Sequence, residues 1–107
     1  MKYPTELQLL EFFGVEPVIH DDVTAYTVFD DSDLALTLSF NTADDSLQTS
    51  LQIGERVVAV VCQEGMTRFW ISDGVLMCEF VHEDVRVNVA VSTHPNIHIE
   101  WSGIRTN

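Results

Sequence analysis

Positive charge is what this chain most lacks. Five Lys and Arg stand against 17 Asp and Glu, a formal net charge of −12. A field of that sign repels phosphate backbones and anionic headgroups, which argues against direct binding to nucleic acid or to a membrane. It also argues against single-strand binding, which needs a cationic groove. Cysteine is nearly absent, and Cys62 and Cys78 are too few for a disulfide framework. No run approaches the roughly 18 apolar residues of a membrane-spanning helix. Residues 1–15 lack a basic segment followed by an apolar one, so no secretory signal is read and a cytoplasmic protein is expected. No linker, internal repeat or low-complexity segment is visible. A single domain over 1–107 is expected.

What is present is enough apolar surface to fold. Hydrophobic residues make up 46% of the chain, which separates it from a disordered acidic tail. One helix is predicted, near the start. Thr5 with Gln8 three residues later forms a capping box. Glu6 suits the positive end of the helix dipole, and Gly14 is a natural C-terminal stop. Leu7, Leu10 and Phe13 read as its buried stripe. About eight residues do not hold a helix alone, so it must dock, and a sheet face is the expected partner.

From residue 15 the period changes to two. Leu34, Leu36, Leu38 and Phe40 alternate with Ala35, Thr37 and Ser39. Val85, Val87, Val89 and Val91 alternate with Arg86, Asn88 and Ala90, and Ile97, Ile99 and Trp101 alternate with His98 and Glu100. These spacings predict half-buried strands. Val57–Cys62, Phe69–Ile71 and Val75–Cys78 are apolar on both parities and predict strands covered on both faces. Turn residues recur at hairpin spacing, with Asp73-Gly74 the strongest two-residue signal. Nine strands follow, at 15–20, 24–29, 34–40, 46–53, 56–63, 66–72, 75–82, 85–92 and 96–103. The connections are too short for parallel crossovers. The expected class is α+β: mainly an antiparallel β meander, a curved sheet or a β-sandwich, with one short N-terminal helix.

The acids gather between the strands. In an up-and-down meander alternate turns share an end. One end then collects Asp21, Asp22, Asp44, Asp45, Glu64, Glu83 and Asp84. The other holds Asp30, Asp31, Asp33, Glu55 and Asp73, diluted by Arg56 and His94. Asp is a favoured turn residue for local reasons, but turn chemistry does not account for the shortage of Lys. The first end is therefore the candidate partner-binding platform, and its partner is expected to be basic.

Other chemistry finds little footing. Asp30-Asp31-Ser32-Asp33 starts like a calcium loop, but from Asp31 the positions that need Gly and Glu are Leu36 and Thr42. His94 and His98 are separated by Pro95 and lack a Cys pair, which breaks a zinc pattern. No nucleophile elbow, P-loop or dinucleotide glycine pattern is present. A small metal-dependent hydrolase using His20, Asp21 and Asp22 is the alternative from another class, and a structural or regulatory β-module is the plainest. Cys62 and Cys78 are expected to be reduced and buried, on strands too far apart to bond. The aromatics Phe12, Phe13, Phe29, Phe40, Phe69, Trp70, Phe80 and Trp101 read as core.

Phe13-Gly14, Pro17 and His20-Asp21-Asp22, followed by alternating strands, resemble small bacterial immunity proteins of polymorphic toxin and contact-dependent growth inhibition systems. Several such families open with a short helix ending in Phe-Gly, then a Pro, a His-Asp step and a β meander. The resemblance implies a non-enzymatic inhibitor, with no cofactor, that binds one cognate toxin. The acidic balance suits a basic toxin domain, a nuclease with ribonuclease favoured, blocked by occlusion of its active site. An acidic nucleic-acid mimic that inhibits a phage-defence or restriction protein rests on the same physics.

Overall fold

The computed structural model describes residues 1–105, with side chains described through residue 103. Helix α1 spans Glu6–Phe13. Its first turn is closed by a reciprocal pair. The Gln8 N–H donates to Thr5 Oγ1 at 3.1 Å, and the Thr5 N–H donates to Gln8 Oε1 at 2.8 Å. Gly14 ends the helix at φ 70, a conformation that suits a residue without a Cβ, and its N–H donates to the Leu10 carbonyl. The buried helical residues are Leu9 and Phe13, with Leu7 and Leu10 exposed. This corrects the expected Leu7, Leu10 and Phe13 stripe. Phe13 stacks on Tyr26 with ring centroids 4.5 Å apart, and that contact turns the Leu9 side of the helix inward.

Nine strands follow: β1 (Val18–His20), β2 (Val23–Phe29), β3 (Leu34–Asn41), β4 (Ser46–Ile53), β5 (Arg56–Gln63), β6 (Met66–Ser72), β7 (Val75–His82), β8 (Val85–Ser92) and β9 (His98–Arg105). All pair antiparallel with their chain neighbours, except that pairing breaks between β5 and β6. The result is a five-stranded sheet, β1 to β5, and a four-stranded sheet, β6 to β9, around one core. The sandwich alternative is the one adopted. Five strand ends differ from the sequence reading: β2 starts one residue earlier, β3 ends one later, β9 runs on to Arg105, and β1 and β9 start later. β1 starts at Val18 because Pro17 has no N–H to give a ladder. β9 starts at His98 because the Ile97 N–H donates to the Asp30 carboxylate instead, at 3.1 Å.

Period-two alternation sets which side chains meet. Tyr26, Val28, Leu36, Leu38, Phe40 and Leu47 come from one sheet, and Phe69, Leu76, Cys78, Phe80, Val89 and Val91 from the other. Tyr3, Phe40 and Phe69 form an aromatic cluster between them. Thr49 is buried, and the Trp101 Nε1–H donates to its hydroxyl at 2.9 Å, tying β9 to β4.

Three core assignments are corrected. All eight residues of β5 are exposed, because it is the last strand of its sheet and neither α1 nor the four-stranded sheet covers it. Cys62 lies on that strand and is exposed, while Cys78 is buried in the other sheet. Phe29 is 76% exposed. It pairs opposite Ala35 on the outer parity of β2. In β6 and β7 the buried positions are Met66, Phe69, Leu76, Cys78 and Phe80, and Trp70, Val75 and Met77 are half-buried rather than covered.

Truncating Leu9 to Ala should destabilise the fold by about 2–5 kcal/mol. Leu10→Ala should cost about 0.5 kcal/mol or less, as at an ordinary surface position. Chemical denaturation of the two variants checks the assignment of the helix face. Burial pushes the Cys78 thiol up, so a thiol reagent should label Cys62 rapidly in native protein and Cys78 only on unfolding, read by mass spectrometry.

The Asp30 carboxyl is held below its ordinary range, chiefly by the Ile97 N–H and then by those of Ser32 and Leu34. A lowered folded value favours the native state above the ordinary carboxylate range, and the benefit is lost as pH falls through the folded value. Asp30→Asn should therefore lower Tm at neutral pH, and the gap from wild type should close in acid.

Candidate partner-binding site

The meander brings the first set of acids to one end of the sandwich. Asp21-Asp22 form the β1–β2 turn, Asp44-Asp45 sit in the β3–β4 turn, Glu64 joins β5 to β6, and Glu83-Asp84 form the β7–β8 turn. Backbone bonds lace three of these together. The Thr42 N–H donates to the Asp22 carbonyl at 3.1 Å, and the Met66 N–H to the Asp45 carbonyl at 2.8 Å. Glu64 and Gly65 line a cavity of about 240 Å³ with Phe80, His82 and Val85, which places Glu64 beside the β7–β8 turn.

The carboxylates are not equivalent. Asp45 is half-buried, and the Tyr3 hydroxyl donates to its Oδ1. Burial, then this hydrogen bond and the Asp45 charge, raise the Tyr3 hydroxyl well above its ordinary range. Asp45 thus faces inward and helps seat the chain start on the core. Asp44 accepts from the Ser46 N–H at 3.1 Å, a local turn bond. Asp21, Asp22, Asp44, Glu64 and Glu83 are exposed, and Asp84 is half-exposed. Asp21 lies 3.5 Å from His20, and both are open to water, where such pairs contribute little.

Cations border the acidic turns without lying in them, and the Arg105 backbone pairs opposite Val85, next to the Glu83-Asp84 turn. Arg86 pairs with Glu79 at 3.7 Å on the outer face of the four-stranded sheet, and Arg68 lies over the Trp70 ring at 3.9 Å. Arg56 starts β5, at the opposite end.

The opposite end is built for folding. Both Asp30 oxygens accept backbone N–H groups, from Ser32, Leu34 and Ile97. Asp33 and Asp73 stand at φ 66 and 52 in turns, as Asp often does. Glu83, at φ 53, is different. The two-residue hairpin between His82 and Val85 requires that positive φ, but Glu is not among the residues that favour it.

Sequence reasoning missed an apolar recess beside the platform. About 560 Å³ in volume, it lies between α1 and β1–β3, with Leu7, Leu10 and Ile19 on its walls and Glu6 and Glu16 among its lining residues. Thr42, which donates to Asp22, also lines it. The signal was the surplus of apolar residues in 7–19 over what eight helical residues can bury. Among the described residues, no group of three or more His, Cys, Asp or Glu is gathered closely enough to hold a metal ion. No described helix is long and apolar enough to cross a membrane.

No protein-family model matches the chain, and no curated protein matches it in sequence. Among solved structures, the fold matches a chain from the contact-dependent growth inhibition toxin–immunity protein complex of Klebsiella pneumoniae 342. The TM-score is 0.89 at 23% identity, and the match covers 95% of this chain and 96% of that one. Likeness at that identity is likeness of fold, here spanning nearly the whole of both chains. It agrees with the resemblance drawn from Phe13-Gly14, Pro17 and His20-Asp21-Asp22.

Proposed function

We propose that this chain is an immunity protein that binds a basic toxin domain at its acidic end and neutralises it. One observation carries the reading. A fold shared with a chain of a toxin–immunity complex gathers exposed carboxylates from four turns at one end, and no Lys or Arg lies in those turns. A nuclease, with ribonuclease favoured, is the toxin that such a surface suits. Carboxylates at Asp21, Asp22, Asp44, Glu64, Glu83 and Asp84 would stand where substrate phosphates lie and pair with the Lys and Arg that bind them. The apolar recess next to Asp22 offers Leu7 and Ile19 for contact at the edge of that interface. The protein performs no chemistry itself, and long-range attraction speeds the encounter.

The test is Lys substitution across those six positions, with affinity for the basic partner co-purified from the native host measured at two ionic strengths. Rim positions should mainly slow association and flatten the salt dependence. One or two central positions should cost about 2–5 kcal/mol each. Circular dichroism should be unchanged, because exposed carboxylates add little to stability. Reversal of the whole set with unchanged affinity would falsify the acidic end as the binding site. Asp45→Asn should behave differently from the rest and lower Tm, because it weakens the contact with Tyr3.

Glu83→Asn separates structure from function at one position. Asn tolerates the left-handed conformation better, so stability should rise by roughly 0.5–1 kcal/mol. Affinity for the toxin should fall in the same variant. A gain in stability with no loss of binding would remove Glu83 from the interface.

A further inference from the structure

β5 is the anomaly of this surface. Val57, Val58, Val60 and Val61 are 53%, 47%, 55% and 38% exposed, and they occupy both faces of the strand. β5 is also the terminal strand of its sheet, so the backbone groups on its outer side have no strand beside them among the described residues. Proteins that stay monomeric blunt such edges with Lys, Pro or inward-pointing charge. Residues 57–63 contain none of these. A β-bulge, another such device, stands only at Val58, the extra residue where pairing with β4 shifts, and Ala59 to Gln63 pair regularly. An exposed apolar patch of this kind marks a partner surface.

The chemistry of the edge selects the partner. Residues 56–63 hold no Asp or Glu on a chain of net charge −12, so this edge offers a basic toxin nothing that the acidic end does not offer better. Its flanking charges are complementary to themselves. Arg56 and Glu64 stand four residues to either side of Val60. We propose that β5 pairs antiparallel with β5 of a second copy of this chain, about a two-fold axis at Val60. Arg56 of each copy then faces Glu64 of the other, Val58 faces Cys62, and Ala59 faces Val61. Two five-stranded sheets join into one of ten strands. A two-fold contact is closed, so it uses up the β5 edge of both copies. Glu64 lies at the junction of this edge with the acidic end and belongs to both surfaces.

Sedimentation velocity of the free protein, over a wide concentration range and at low and high salt, tests the proposal. A dimer that dissociates on dilution is expected. Added salt should tighten it by screening two strongly acidic bodies from each other, the reverse of its effect on toxin binding. Val60→Lys places like charges together at the axis and should give monomer with unchanged circular dichroism. Glu64→Arg and Arg56→Glu should each weaken association by at least roughly tenfold, and the double variant should restore it. In a Cys62→Ser background, Val60→Cys should oxidise to a covalent dimer, since residues facing each other across an antiparallel pair lie within disulfide reach. Monomer under all conditions, or a dimer indifferent to Val60→Lys, would overturn the proposal. Loss of toxin binding by Val60→Lys in a monomeric wild type would also overturn it and assign the edge to the toxin. A dimer that dissociates as described, in a protein that inhibits no toxin, would support self-pairing and sink the immunity reading alone.

Discussion

Strict alternation of strand direction is the constraint on which the rest of this molecule depends. Every connection from β1 to β5 and from β6 to β9 is an antiparallel hairpin or short loop, so every second turn returns to the same end. The charge distribution follows from this. Acids placed in the first, third, fifth and seventh turns converge through the strand order alone. The bonds from Thr42 to the Asp22 carbonyl and from Met66 to the Asp45 carbonyl hold that convergence in place. The platform is thus a property of backbone topology, decorated by residues that solvated turns accept at little cost.

A second constraint is the count of strands. Five strands lie on one side of the core, with four strands and one short helix on the other. Phe13 on Tyr26 seats the helix over β2, and Trp101 on Thr49 fixes β9 against β4. Between them these anchors cover β2, β3 and β4. β5 is left outside the core with its valines in water. The two unusual surfaces of the protein therefore have separate causes: turn placement for the acidic end, and a mismatch of layers for the apolar edge.

The acidic turns also divide by role. Asp30 spends both oxygens on backbone N–H groups and joins the β2–β3 turn to the start of β9. Asp45 turns inward to Tyr3. Such residues are needed for folding, and charge is incidental to them. Glu83 stands at a left-handed backbone position with no comparable local partner role. The β7–β8 hairpin needs a positive φ there, and a residue type that turn chemistry does not favour at such a position is where a functional demand is expected.

Local interactions made much of this legible from sequence. The capping box at Thr5 and Gln8, the stop at Gly14 and the Asp73-Gly74 hairpin act within a few residues, so their chemistry is written in adjacent letters. Period-two alternation located β3, β8 and β9, because each pleated strand sends alternate side chains to opposite faces, and apolar runs bounded by turn residues located β5, β6 and β7. Tertiary structure alone decided which apolar residues are buried. Val57–Cys62 carries the same apolar signal as a covered strand, yet β5 is exposed. Leu10 and Phe29 read as core and lie in water. Hydrophobic pattern states which side chains would gain from burial, and only the arrangement of the two sheets and the helix decides which of them find a neighbour.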